Sequence, residues 1–505
     1  MFTNMLSAAV LGVECHSIRV EADISDGLPV FNMVGFLSAQ AREAQDRVKT
    51  AMRNAGYFLP AKRITINLAP GDLRKEGTGF DLPIALVILA ALGQIPHQKL
   101  EHTMAVGELS LDGTIGSTMG VLAAVMKAKE MGCTTCMIPK GNLREGSVVE
   151  GIQVIGVAAL QEAVDFFTAG KIYWKVPEAE ANAKKEELDF SDIQGQEGAK
   201  RAAVIAVSGF HNLLYIGPPG VGKSMLAKRI CGILPPLTKQ ESLEITRIYS
   251  IVGLLPENGG LMKRRPFRAP HHTVSPQALA GGGRIPRPGE ITLAHRGVLF
   301  LDEFPEFSSR ALDTLRQPLE NHQICISRVS GSYTFPAHCM LVCAMNPCSC
   351  GNYPDMNKCT CRPEDVARYL RKISRPLLDR IDVCAEVSRI SYQQARTLKG
   401  TNTSKQMQQQ VNQSRKIQEE RFAGTDLSFN SQIPPQLIGK YCPMTPEGEQ
   451  MLEKAYAKMD FSVRGYHRIL KTARTIADLD GEEKIHAAHI GEALCYRTID
   501  EKYWG

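Results

Sequence analysis

The chain has 505 residues, which predicts about three domains at the usual size of about 150 residues each. With 44% hydrophobic and 22% charged residues its composition is that of a globular protein, and a net charge of +6 permits nucleic acid as a partner without requiring it. No apolar run reaches the about 18 residues that a membrane-spanning helix needs, and 14 cysteines without a secretory signal predict a reducing, cytoplasmic location.

The N-terminal part of the chain alternates strand-like and helix-like segments, and we predict one domain over residues 1–170. The stretches KEGTGFDLPIALVILAALG (75–93) and AVGELSLDGTIGSTMGVLAA (105–124) resemble the Lon-protease-like domain. This resemblance implies an α+β fold of the ribosomal S5 domain 2-like type. An active Lon site needs a serine nucleophile and a lysine base. Gly79 stands where the serine belongs, and residues 120–123 (GVLA) lack the lysine, so we expect no peptidase activity.

Two other roles for this domain stay open. Thr78 or Ser110 could replace the missing nucleophile, although neither has an evident base. The same fold serves as a DNA-binding platform in RadA-type helicases, and a simple solvated basic face is an equal alternative. The candidate phosphate contacts are Lys62, Arg63, Arg74 and Lys75.

The most informative stretch is NLLYIGPPGVGKS (212–224), which follows a charged segment, 171–190, that we interpret as a linker. An apolar strand runs into a glycine-rich loop, and a helix follows that ends before Pro235. Backbone N–H groups of such a loop surround phosphates, Lys223 can reach the β- and γ-phosphates, and the Ser224 hydroxyl can bind Mg²⁺. The sequence therefore predicts binding of ATP or GTP. The nucleotide-binding candidates are Gly217, Pro218, Pro219, Gly220, Val221, Gly222, Lys223 and Ser224.

Two further apolar strands end in polar residues. VLFLDE (298–303) predicts a buried parallel strand whose carboxyl end carries Asp302, for Mg²⁺ through water, and Glu303, to polarise the attacking water. CMLVCAM (339–345) ends at Asn346, which can orient the same water and matches the sensor-1 position of AAA+ ATPases.

Two arginine-bearing segments also match that superfamily. SRPLLDRID (374–382) resembles its LLDRFD-type segment, so Arg380 would be an arginine finger reaching the nucleotide of a neighbouring subunit. The alternative is a local ion pair of Arg380 with Asp379 or Asp382. In SVRGYHRIL (462–470), Arg464 occupies the sensor-2 position, and Arg468 is the competing candidate.

These motifs, together with RPFRAPHHTVS (265–275), PGEITLAHRGVLFLDEFPEF (288–307), AMNPCSCG (344–351) and RTIADLDG (474–481), resemble the ComM/YifB family of magnesium-chelatase-like AAA+ ATPases. The resemblance implies an α/β P-loop core over 191–395, a C-terminal helical lid over 396–505, and a ring, expected to be a homo-hexamer. It also implies ATP with Mg²⁺ as cofactors, and an ATP-driven helicase that promotes branch migration of DNA in natural transformation or recombination. The alternatives are a chelatase-like motor that remodels a partner protein, which the Lon-like domain argues against, and an ATP-regulated protease.

Three basic segments are candidate DNA-moving loops: KRRPFRAPHH (263–272), GGGRIPRPGE (281–290) and ISRVSGSYTF (326–335), the last read as a hairpin turning at Ser330-Gly331. Arginines beside flexible glycines can follow a single-stranded or branched DNA backbone without reading its sequence. Solvated loops without a ligand are the alternative. The candidate DNA contacts are Arg264, Arg265, Arg268, Arg284, Arg287 and Arg328.

The cysteines form two local patterns. Cys348, Cys350, Cys359 and Cys361 make a C-x-C…C-x-C arrangement that suits tetrahedral Zn²⁺, with four unliganded thiols as the alternative. The pair Cys133 and Cys136 stands alone before an apolar segment, and we interpret it as core thiols.

Overall fold

The computed structural model describes residues 1–176, 188–256, 260–328, 331–390, 403–459 and 462–504. Residues 177–187 of the predicted linker, residues 396–402 of the predicted lid and Ser330 of the predicted hairpin turn lie outside these ranges. The strands are β1 (Phe2–Leu11), β2 (Glu14–Ser25), β3 (Val30–Val34), β4 (Arg63–Ala69), β5 (Thr103–Ala105), β6 (Glu108–Leu109), β7 (Ile115–Gly116), β8 (Thr135–Pro139), β9 (Gln153–Val157), β10 (Leu213–Ile216), β11 (Phe267–Arg268), β12 (Gly281–Gly282), β13 (Arg287–Pro288), β14 (Val298–Leu301), β15 (Gln323–Arg328), β16 (Gly331–Pro336), β17 (Met340–Met345) and β18 (Val383–Glu386).

The α-helices lie between and after these strands. They are Ala39–Asn54, Asp81–Ala91, Val121–Glu130, Leu143–Gly146, Leu160–Ala169, Glu197–Gly209, Lys223–Ile233, Lys239–Ile251, Pro276–Ala280, Glu290–Leu293, Ser309–Asp313, Arg316–Asn321, Pro363–Leu370, Arg375–Leu378, Ser404–Arg421, Ile438–Tyr441, Pro446–Met459, Val463–Leu479 and Ala487–Trp504. None of the helices in the described ranges combines the length and the apolar character of a membrane span.

The described residues divide into two compact units. The first contains the described residues of 1–182, 239–262 and 327–333, and the second contains those of 183–238, 263–326 and 334–505.

The first unit is built on a seven-stranded mixed sheet in the order β3-β4-β2-β1-β5-β8-β9. Burial alternates along β1 and β2, as expected where one face of an antiparallel pair is covered. The helix Asp81–Ala91 covers that face, and every one of its residues is buried. Cys133 and Cys136 are buried, which confirms their interpretation as core thiols.

The second unit contains a five-stranded sheet in the order β11-β14-β17-β10-β18, and all its pairings are parallel. Every residue of β10, β14 and β17 is buried, which explains their continuous apolar sequences. The predicted α/β fold with a parallel sheet is thereby confirmed. Since parallel strands end at one edge, the residues that follow β10, β14 and β17 meet there.

Four long C-terminal helices complete the second unit: Ser404–Arg421, Pro446–Met459, Val463–Leu479 and Ala487–Trp504. The helix Val463–Leu479 carries the RTIADLDG motif, and its Arg474 and Asp478 are buried. Asp478 accepts hydrogen bonds from Arg474 Nε at 3.0 Å, Arg421 Nη1 at 2.7 Å and Asn430 Nδ2 at 2.7 Å. This motif therefore serves the packing of the helices.

Candidate nucleotide site

The phosphate loop joins β10 to the helix Lys223–Ile233, so the strand, loop and helix order expected from the sequence is confirmed. Gly220 and Gly222 adopt φ values of +77° and +94°, where glycine is strongly favoured. A β-carbon at Gly217 would collide with the carbonyl oxygen of Val387. The glycines thus give the loop its shape, and the absence of side chains at these positions lets phosphate groups approach the backbone closely.

The Lys223 side chain folds back over this loop. Its Nζ donates to the carbonyl oxygens of Gly217 at 2.7 Å and Pro218 at 2.8 Å, and to Asn346 Oδ1 at 3.0 Å. Burial lowers the pKa of Lys223 to about 8, while the nearby Asp302 carboxylate acts in the opposite direction. Two residues that the sequence singled out separately, Lys223 and Asn346, are therefore in direct contact.

Ser224 and Asp302 form the second contact at this edge of the sheet. Ser224 Oγ donates to Asp302 Oδ2 at 2.6 Å, and Asp302 Oδ1 accepts from the Glu303 backbone N–H at 3.0 Å. A hydroxyl and a carboxylate are hard oxygen donors of the kind that Mg²⁺ prefers. Together with the glycine loop and Lys223, this donor set fits a nucleotide with its magnesium ion.

Glu303 has an unusual backbone and a partner that the sequence did not reveal. Its φ of +52° lies in the left-handed region, which typically costs a residue with a β-carbon about 1 to 3 kcal/mol. Its Oε2 lies 3.1 Å from Nδ1 of His272, and 61% of the Glu303 side chain is exposed. The motif RPFRAPHHTVS thus brings a histidine to the predicted catalytic carboxylate.

Arg380 lies at the other end of the sheet. Its carbonyl oxygen accepts from Asn212 Nδ2 at 2.7 Å, and Asn212 immediately precedes β10. The four residues of β10 span about 13 Å between Asn212 and the phosphate loop. Arg380 pairs with Glu320 at 2.6 Å, and its Nε donates to the Arg316 carbonyl oxygen at 3.1 Å. The alternative of an ion pair within the chain is thus found, with Glu320 as the partner in place of Asp379 or Asp382.

The two candidate lid arginines differ in their surroundings. Arg468 is buried and donates to the carbonyl oxygens of Leu378 at 3.3 Å and Ile381 at 2.8 Å, and to Asp379 Oδ1 at 3.1 Å. Arg464 is 69% exposed and lies 3.6 Å from Glu320, the acid that pairs with Arg380. Arg464 and Arg380 therefore share an acid at the amino end of the sheet.

The candidate DNA contacts fall into two groups. Arg265 donates to the carbonyl oxygens of Pro235 and Arg296, both at 2.7 Å, and Arg268 makes a two-pronged bond to Glu290 at 2.6 and 2.7 Å. These two guanidinium groups hold the second unit together. The exposed members are Arg264, Arg284, Arg287 and Arg328. The strands β15 and β16 pair with each other, as the predicted hairpin requires.

The four clustered cysteines converge. The sulfur atoms of Cys348, Cys350, Cys359 and Cys361 all lie within 4.8 Å of one another. The backbone N–H of Asn352 lowers the pKa of the Cys350 thiol to about 5. Four thiols within reach of one ion are the donor set of a tetrahedral metal site, so this is a candidate metal site.

In the first unit, the structure shows a partner for Thr78, the candidate replacement for the missing nucleophile. Thr78 Oγ1 donates to Glu108 Oε2 at 2.5 Å, which gives it a carboxylate partner and no lysine.

Lys75 is fully buried and bonds to the Pro70 carbonyl oxygen, so it does not supply the surface phosphate contact expected from the sequence. Arg74 pairs with Glu76 at 2.8 Å, and Lys62 pairs with Asp26 at 2.9 Å.

Comparison with known proteins gives a consistent assignment. Sequence models described as "Magnesium chelatase, subunit ChlI", "Subunit ChlI of Mg-chelatase" and "Magnesium chelatase, subunit ChlI C-terminal" match residues 189–395, 20–142 and 401–497. The chain is also similar to Lon protease 2 of Bacillus subtilis, at 30% identity over 129 residues, which is 25% of this chain and 23% of that protein.

Two relatives match along almost the whole chain. The competence protein ComM of Haemophilus influenzae is 44% identical, with 98% of this chain and 97% of ComM covered. YifB of Escherichia coli is 42% identical, with 97% and 96% covered. The chain belongs to the ComM/YifB family of magnesium-chelatase-like AAA+ proteins.

Proposed function

We propose that this chain is an ATP-hydrolysing AAA+ motor that forms a homo-hexameric ring and drives branch migration of DNA. One observation carries the nucleotide part. The Lys223–Asn346 and Ser224–Asp302 contacts bring the ends of three buried strands to a single site. Convergence of a lysine, a hydroxyl, a carboxylate and an amide is what phosphoryl transfer from a nucleotide requires.

Binding of the nucleotide rests on the loop and its helix. Backbone N–H groups of Gly220, Val221 and Gly222 hold the phosphates, because Pro218 and Pro219 have no N–H and that of Gly217 donates to the Met345 carbonyl oxygen. Lys223 exchanges its carbonyl partners for phosphate oxygens, which bind an ammonium group more strongly. Ser224 and Asp302 would hold Mg²⁺ through their side-chain oxygens, which lie together at this site. When bound, Mg²⁺ neutralises charge that develops on the phosphates.

Hydrolysis rests on Glu303 and its neighbours. Its carboxylate is exposed shortly after β14 and can accept a proton from the attacking water. His272 orients that carboxylate through the 3.1 Å contact, and Asn346 orients the water. We assign His272 as a positioning residue, because it acts through Glu303.

Arg380 completes the site of a neighbouring subunit. It lies beyond the amino end of β10, about 13 Å of strand away from the phosphate loop of its own chain. An arginine finger at this position serves a second copy more readily than its own nucleotide. Arg464 is the better candidate for the lid sensor, because it is exposed whereas carbonyl oxygens and Asp379 already hold Arg468. Beside the same Glu320 as Arg380, Arg464 would also serve the nucleotide of a second copy.

Two observations support DNA as the substrate. One relative is named a competence protein, and several arginines of this chain are exposed. The exposed arginines at 264, 284, 287 and 328 lie on loops or a hairpin and can contact phosphates without reading sequence. We assign residues 1–170 to a non-proteolytic Lon-like domain, 191–395 to the motor core and 396–505 to its lid. Single-stranded or branched DNA taken up in competence is the proposed substrate.

Hydrolysis measured with and without DNA tests this function. We expect forked or single-stranded DNA to raise the rate of ATP hydrolysis by the purified full chain, and Lys223→Ala to abolish both rates. Equal rates with and without DNA, together with no binding of either DNA, would refute the DNA motor while leaving an ATPase.

A second candidate is an ATPase that remodels a partner protein, as in magnesium chelatase. The three chelatase-subunit matches over 20–142, 189–395 and 401–497 favour it. This second candidate predicts that a co-purifying protein stimulates ATP hydrolysis and that DNA does not.

A further inference from the structure

The cysteine cluster has the spacing of a tetrahedral metal site. The sulfur of Cys348 lies 3.4 Å from that of Cys350 and 3.9 Å from that of Cys359, and the Cys350 and Cys359 sulfurs are 3.6 Å apart. Four thiolates that each lie about 2.3 Å from one Zn²⁺ ion in tetrahedral geometry are about 3.8 Å from one another. The observed separations bracket that value. All four cysteines are free, so no disulfide explains their approach.

The loop between the two cysteine pairs is held in shape by polar contacts to the cluster. The backbone N–H of Tyr353 points to the Cys348 sulfur at 3.4 Å. Asn352 Nδ2 reaches the carbonyl oxygens of Cys350 and Lys358, both at 3.4 Å. Backbone N–H groups directed at sulfur stabilise thiolates, and secondary contacts of this kind orient metal ligands.

The same loop lies directly against the phosphate loop. A β-carbon at Gly351 would collide with the ring of Pro219. Asn352, Tyr353 and Lys358 line a cavity of about 440 Å³ whose other walls include Gly217 and Pro218. Anything that fixes residues 351–358 therefore fixes one wall beside the nucleotide site.

We propose that Cys348, Cys350, Cys359 and Cys361 bind one Zn²⁺ ion, and that this ion holds residues 351–358 against the phosphate loop so that nucleotide binding depends on the metal. The second half of this inference rests on the proposed function. Each thiol that is still protonated releases its proton to solvent as its sulfur–zinc bond forms, and no oxidation or reduction takes place. A four-iron cluster fits less well, because its thiolates bind different irons and stand further apart.

Metal analysis of the full chain, purified without added metal chelators, tests the site itself. We expect about one zinc per chain, loss of most of it in Cys359→Ser and Cys361→Ser, and no loss in Cys495→Ser, whose cysteine is exposed and outside the cluster. Replacement by Co²⁺ should give the absorption of a tetrahedral tetrathiolate site. A wild-type chain without bound metal that does not take up Zn²⁺ or Co²⁺, or one that holds iron and sulfide, would overturn the assignment.

The affinity for nucleotide tests the link between the metal site and the nucleotide site. It is measured on the wild-type chain, because a cysteine variant that fails to fold would also lose nucleotide binding. We expect chelation of zinc to weaken binding of a fluorescent ATP analogue by about tenfold or more, and added Zn²⁺ to restore it. Unchanged affinity after verified loss of zinc would refute the link. A zinc-loaded chain that binds no nucleotide would refute the proposed function and leave the metal site standing.

Discussion

The Lys223 ammonium donates to Asn346 Oδ1 over 3.0 Å, although 122 residues separate the two in the chain. Lys223 begins the helix that follows β10, and Asn346 follows β17, which pairs with β10 in parallel. This contact joins the group that binds phosphate to the group proposed to orient water.

Affinity for ATP should depend on pH through Lys223. In the free chain, burial lowers the pKa of Lys223 to about 8, whereas bound phosphates favour its charged form. Below pH 8 the lysine is charged in both states, so affinity is constant; above pH 8 binding must take up a proton, so affinity falls by up to about tenfold for each pH unit. Titration calorimetry between pH 7 and pH 9.5 measures this slope.

Two variants separate this effect from general alkaline damage. Lys223→Ala should bind ATP weakly and lose the slope, while Ser224→Ala should bind weakly in the presence of Mg²⁺ and keep it. A slope of the same size in Lys223→Ala would assign the titration to another group.

Glu303→Gln should retain ATP and hydrolyse it at least about 100-fold more slowly, because an amide cannot accept the proton of the attacking water. Nucleotide binding and single-turnover hydrolysis, measured on the same preparation, separate the two steps. Glu306→Gln is a matched control, because Glu306 pairs with Lys372 at 3.1 Å and has no proposed part in hydrolysis. A Glu303→Gln variant with normal turnover would remove Glu303 from the reaction.

His272→Ala should lower kcat by about tenfold and leave KM for ATP unchanged, because it frees the Glu303 carboxylate without touching the phosphate loop. His272→Gln, which can still donate to the carboxylate, should recover part of the rate. The comparison is His271→Ala, whose ring bonds to Thr273 Oγ1 at 2.9 Å and packs on the His272 ring at 4.1 Å between centroids, so this variant reports the effect of lost packing. Equal losses in both histidine variants would indicate a general effect on this loop.

Arg380 should act on the neighbouring subunit. Lys223→Ala and Arg380→Ala chains, each inactive alone, should regain ATP hydrolysis when mixed, because some interfaces then combine an intact Lys223 with an intact Arg380. Size-exclusion chromatography of the mixture confirms that mixed rings form. Mixed rings without any recovery would place Arg380 in the site of its own chain.

Asp478→Asn should lower the free energy of unfolding by about 3 to 5 kcal/mol, because it leaves the buried guanidinium of Arg474 without its charge partner. Denaturant unfolding measures the change. Asp480→Asn, at a carboxylate that is 47% exposed, should change it by less than about 1 kcal/mol. A loss in Asp478→Asn as small as that in Asp480→Asn would contradict the structural role of Asp478.

The sequence predicted which residues converge at the candidate nucleotide site. Lys223 and Ser224 are found from the glycine-rich motif, and Asp302 and Asn346 are found because they follow buried parallel strands whose ends share an edge. His272 was missed as a partner of Glu303, since it lies in an irregular loop whose path no periodicity reveals. The burial of Lys75 was missed for the same reason, and charge alone did not show that Arg265 and Arg268 bond within the chain.

The most direct test of the central claim is three-strand branch migration by the full chain with ATP and Mg²⁺, with negative-stain imaging of the same samples. We predict that the wild-type chain forms rings and converts the three-strand junction to product, while Lys223→Ala forms neither product nor ADP. Rings that hydrolyse ATP at an equal rate with and without the junction, and leave it unmoved, would contradict a DNA motor.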